Sequence, residues 1–211
     1  MMSYNKLIDS ALGFKKTLNE ASKDTKNCEY MTKSSINVID FDTYKDYYIK
    51  ELSLPDIYDE ENEIQTRNIK SNDALFINND EIYFIEFKNG AIRSKSDRFN
   101  IHTKLYDSLL IILDILNKNM SFAKKNIKYI LVFNEDKNPK ANSCEATPFQ
   151  YMISRLTELS NDEIIQFDLH KFKDIYLNEV HTYTKSQFDR NFVKRFENVD
   201  MFNQLALEGA K

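Results

Sequence analysis

Glycine and proline are scarce, three of each in 211 residues, and no Ser/Gly/Pro-rich or repeated segment interrupts the chain. A collagen-like, low-complexity or linker-rich protein is thereby excluded. Cysteine is nearly absent: Cys28 and Cys144 are too few and too far apart for a disulfide framework or a four-ligand zinc site. No long apolar run is present. The best, Leu109 to Leu116, contains Asp114 and follows Asp107, far short of the roughly 20 apolar residues that a membrane span requires. Met1 to Lys6 lead into a mixed polar stretch rather than an apolar signal core, so no secretory signal is visible and the cytoplasm is the expected compartment. What the chain does have is core-building material, 42% hydrophobic beside 29% charged residues, which suits one globular domain over residues 1–211.

The formal net charge of -4 argues mildly against a polyanionic partner, but its distribution is uneven. Glu51 to Glu63 holds six acidic residues and no basic one, whereas Lys88 to Lys104 holds Lys88, Arg93, Lys95, Arg98 and Lys104 against only Asp97. A second basic group comprises Lys118, Lys124, Lys125 and Lys128. Apolar periodicity predicts helices over 4–21, over 43–52 with Asp42 as cap, over 97–119, near 149–159 and over 185–196. Strands are expected over 36–41, 128–133 and 164–169, and a hairpin joins 74–77 to 82–87 through Asn78 to Glu81. The alternation implies an α/β fold with a mixed central sheet flanked by helices.

The hairpin brings charges together. Closed by a two-residue turn at Asn79 and Asp80, or by a four-residue loop, it places Asp73 opposite Glu86. Facing Cβ atoms stand about 4.5 to 5.5 Å apart, where two carboxylates repel and call for a cation. Lys88, two residues beyond Glu86, falls on the same face. An acidic residue, any residue, then lysine also occurs at Asp24 to Lys26 and Glu135 to Lys137, but only Glu86-Phe87-Lys88 extends a strongly apolar strand and faces an aspartate.

Asp73, twelve intervening residues, then Glu86-Phe87-Lys88, a basic segment and a long helix resemble the PD-(D/E)XK nuclease superfamily, with its restriction-endonuclease-like core. The resemblance implies that Asp73, Glu86 and the Phe87 carbonyl hold Mg²⁺ or Mn²⁺, and that Lys88 positions or activates water and stabilises the reacting phosphate. The family's order of helix, three strands, helix and strand would cover about residues 42–135, with Ile64 to Ile69 as the first strand. Asn72 stands where the family has proline. A further glutamate often joins the site, and Glu51 and Glu20 are both open for that place.

Hard carboxylate oxygens suit Mg²⁺, which takes one or two protein carboxylates plus substrate phosphate. Arg93, Lys95, Arg98 and Lys104 would then hold phosphates flanking the scissile bond of a nucleic acid, DNA by the resemblance. The alternatives are an ordinary cross-strand charge pair, a catalytically idle binding module of the same fold, and a structural or inhibitory protein. His102 is expected at the surface, His170 and His181 lack metal spacing, and the 15 Phe and 12 Tyr are assigned to packing.

Overall fold

The computed structural model describes residues 4–55, 57–58, 64–65, 68–138 and 164–202. Ten strands are described, in three sheets. They are β1 (Lys15–Thr17), β2 (Lys23–Asp24), β3 (Glu29–Tyr30), β4 (Asn37–Asp40), β5 (Ile57–Tyr58), β6 (Ile64–Gln65), β7 (Ala74–Asn78), β8 (Glu81–Lys88), β9 (Ile127–Phe133) and β10 (Glu179–Thr184). Six of them form a mixed central sheet in the order β1-β4-β7-β8-β9-β10. β1 to β8 pair antiparallel, while β8, β9 and β10 run parallel. β2 pairs with β3, and β5 with β6, in two small hairpins.

The helices are α1 (Tyr4–Ser10), α2 (Leu18–Ala21), α3 (Phe41–Glu51), α4 (Lys95–Leu116) and α5 (Met120–Asn126), followed after β10 by a helical run in three segments, Lys185–Phe188, Asp189–Val193 and Lys194–Phe196. Among the described residues no helix is long and apolar enough to cross a membrane. Helices cover both faces of the sheet. On one face α4 lays Ile101, Leu105, Leu109 and Ile112 into the core. On the other, Phe76 and Tyr83 meet Phe192 and Phe196, with ring centroids 5.1 to 5.4 Å apart. The α/β fold with a mixed sheet is as the alternation implied.

Several elements depart from the sequence pattern. The expected helix over 4–21 ends at Ser10, because Leu12–Phe14 tightens into a 3-10 turn and Lys15–Thr17 pairs with β4 as an edge strand. Helix resumes at Leu18 under a capping box formed by Thr17 and Glu20. The cap of α3 is Asp40, whose carboxylate accepts from the Thr43 N–H, rather than Asp42. The long helix stops at Leu116 because Asn117 adopts a left-handed conformation (φ 51°), and α5 restarts under the Asn119 cap. The strand beside the β7–β8 hairpin in the central sheet is β4, where the sequence pattern places Ile64 to Ile69; Ile64–Gln65 instead pairs with Ile57–Tyr58 outside the main sheet. Residues 164–168 form no strand, and Leu169–Phe172 is a 3-10 turn. The helix expected near 149–159 and Cys144 lie outside the described residues.

Candidate functional site

The β7–β8 register follows the hairpin arithmetic: Ala74 pairs with Ile85 and Asn78 with Glu81 around the Asn79-Asp80 turn, where Asn79 takes φ 53°. Continued by one residue, this register sets Asp73 beside Glu86. The Phe87 N–H donates to Asp73 Oδ2 at 2.7 Å, locking the carboxylate against the end of β8. The approach to β7 is held by α4 as well. Lys70 N–H donates to Asp107 Oδ2, and Asn72 N–H to the buried Ser108 hydroxyl, both at 2.9 Å.

The cation that meets the two carboxylates is Lys104. Its ammonium lies 2.9 Å from Asp73 Oδ1 and 2.8 and 3.0 Å from the two oxygens of Glu86. Glu86 is almost fully buried, while Asp73 and Lys104 keep a minor part of their side chains exposed. Burial, then the neighbouring Asp73 charge, push Glu86 up to about 8 against the pull of Lys104. Asp73 is also raised, by burial. Lys104 is raised by its two carboxylate partners, which outweigh its own burial, and stays protonated.

Lys104 was predicted from its place in the basic segment to contact phosphate, yet the structure folds it inward. Its position carried the signal: Ile101, Lys104 and Ser108 follow the three-and-four spacing of one helix face, and both neighbours are buried. Lys88 forms no ion pair with Asp73 or Glu86 among the described residues. It borders a cleft of about 420 Å³ together with Asp73, Phe87 and Lys23, its stem 3.9 Å from where a Cβ on Gly90 would stand. Arg93, Lys95 and Arg98 surround the N-terminus of α4, with Arg98 3.5 Å from Asp168. Lys128, counted in the second basic group, is buried between Glu81 and Glu179 at 2.6 and 3.0 Å.

A second cleft, of about 550 Å³, reaches Asp73 from the other side and is lined by Glu20, Asp40 and Asp42 beside Lys16 and Lys23. Of the two glutamates left open by the sequence, Glu20 thus borders the site, whereas Glu51 is exposed at the end of α3. Asp42, which the sequence reading used only as a cap, adds negative charge that raises both Asp73 and Glu86; Ser71 holds it through a 2.5 Å hydrogen bond. His102 is buried rather than at the surface, its ring nitrogens bonded to the Phe167 carbonyl and the Lys171 ammonium, and burial lowers its pKa.

Among the described residues no group of three or more His, Cys, Asp or Glu side chains is arranged to hold a metal ion. The Asp73–Glu86 pair nonetheless has the donor type that Mg²⁺ accepts, since one or two carboxylates suffice. An orphaned hydroxyl lies on the same face as the pair. Tyr129 carries it and is fully buried, its hydroxyl has no hydrogen-bond partner among the described residues, and the charges of Glu86 and Asp73 raise its pKa after burial does. A buried hydroxyl of this kind calls for a water or ion shell.

No family model matches the chain, and neither a curated protein nor a solved structure does.

Proposed function

We propose that the protein is a Mg²⁺-dependent nuclease of the PD-(D/E)XK type that hydrolyses phosphodiester bonds, in DNA by preference. The observation that carries this reading is the meeting of Asp73 and Glu86 at one buried point at the end of β8, beside a cleft walled by Lys88. The strand pairing β4-β7-β8-β9, with the first three antiparallel and β9 parallel to β8, lends support, although α3 follows β4 in the chain where the resemblance implies a helix ahead of all three strands.

In this reading Asp73, Glu86 and the Phe87 carbonyl would hold Mg²⁺. When bound, the ion would polarise a phosphoryl oxygen and make water a better nucleophile. Asp73 is kept in place by the Phe87 N–H. Lys104 offsets part of the pair's charge in the metal-free protein, and it would give up at least one carboxylate oxygen to a bound ion while staying close enough to pair with the other acid. Lys88, free of both carboxylates, meets the charge that develops on the phosphate.

A second reading, an idle binding module, draws on Lys104: its ammonium already hydrogen-bonds both acids, so the pair has a cationic partner without an ion. Incubation of plasmid and single-stranded DNA with the protein separates the two. Cleavage in Mg²⁺ or Mn²⁺ and none in EDTA is expected of the nuclease; no cleavage under any metal would favour the idle module.

A further inference from the structure

We propose that the cleft over Asp73 admits a single strand of nucleic acid and stacks one of its bases on Tyr30; this rests on the nuclease reading and adds the substrate class. The β2–β3 hairpin stands over the site. The buried Asn89 side chain, just past the end of β8, donates to Asp24 Oδ2 at 2.8 Å and to Glu29 Oε2 at 2.7 Å, one acceptor on each strand. Asn134 in turn donates to Asn89 Oδ1 at 2.8 Å, so the hairpin is tied to the ends of both β8 and β9.

The clefts of about 420 and 550 Å³ share Ala21, Lys23, Thr25 and Asp73, and so form one passage between the hairpin and the carboxylate. Each is of the size that encloses one small ligand, roughly 300 to 1,000 Å³. A duplex, whose major groove alone is about 12 Å wide, is broader than a cleft of this volume. A single strand is not.

Charge and aromatic placement agree with this. On one side of the passage Lys23, Lys26 and Lys88 outnumber the acids and suit the phosphate backbone. On the other side acids dominate, which suits an uncharged base rather than a phosphate. Tyr30 lines that side with 46% of its surface exposed, a large aromatic ring left unburied, with the Lys23 ammonium 5.8 Å from its centroid. An exposed ring next to a lysine-lined stretch that can follow the backbone is an arrangement that binds unpaired bases, with Lys23, which lines both clefts, joining the ring to the basic side.

Fluorescence anisotropy in EDTA tests the proposal, using a labelled oligothymidylate of about 16 nucleotides and a blunt duplex of equal length. Wild type should bind the single strand at least about tenfold more tightly, Tyr30→Ala should lose roughly tenfold, and Tyr30→Phe should keep its affinity. Equal or tighter duplex binding, or an unaltered Tyr30→Ala whose melting matches wild type, overturns the single-strand proposal and leaves the nuclease reading standing if Mg²⁺-dependent cleavage persists. No binding of either form, together with no cleavage, overturns both.

Discussion

The Lys104 ammonium meets Glu86 at two points, 2.8 and 3.0 Å from its two carboxyl oxygens, and pairs with Asp73 at 2.9 Å. Removing one partner of a buried pair leaves the other uncompensated. Lys104→Ala should therefore destabilise the metal-free protein by about 3 kcal/mol, a melting decrease of roughly 6 to 12 °C for a domain of this size. Saturating Mg²⁺ should restore more stability to this variant than to wild type, because the ion no longer competes with the ammonium. Differential scanning calorimetry with and without Mg²⁺ measures both effects, and an unchanged melting temperature would reduce Lys104 to a surface charge.

Lys88 is assigned to the chemical step. Lys88→Ala should slow cleavage by at least about 100-fold, as when one electrostatic stabiliser of developing charge is lost. Its melting temperature and Mg²⁺ affinity should stay near wild type, since Lys88 makes no ion pair with the carboxylates among the described residues. Single-turnover kinetics beside a metal titration separates this from a role in holding metal.

Glu86 sets a pH dependence whose sign can be worked out. Its folded value of about 8 lies above the ordinary 4.5, so between those limits the folded protein holds a proton that the unfolded chain releases. The stabilisation is full below pH 4.5 and is lost as pH rises through 8, with a slope of at most about 1.4 kcal/mol per pH unit. Asp73, also raised, adds in the same sense. His102, lowered by burial, works oppositely, so the readout is the difference between wild type and Glu86→Gln. Metal-free wild type should lose stability relative to this variant across that window, and parallel curves would contradict the assignment.

How much of this was legible in the sequence depends on the range of each interaction. The β7–β8 hairpin was readable because its register follows from a local turn and a period of two, and Asp73 and Glu86 came with it. Lys104 lies on the buried face of α4, and the periodicity that marks Ile101 and Ser108 could have marked it too; its charge placed it instead among residues expected to face solvent. β4 as first strand was not readable, because pairing with β7 across an intervening helix leaves no local trace. β2 and β3, two residues each, are held largely by Asn89, a contact some 60 residues away in the chain. The same holds for His102, buried by a segment near Phe167.

The central claim, that Asp73 and Glu86 form a divalent-cation site, is tested most directly by thermal melts of wild type and Asp73→Asn with and without Mg²⁺ at ten times the dissociation constant. Wild type should gain about 1.4 kcal/mol, a rise of roughly 3 to 6 °C, while Asp73→Asn, which keeps an oxygen for the Phe87 N–H but loses the charge, should gain little. Equal shifts in the two proteins, or no shift in wild type, would contradict the claim.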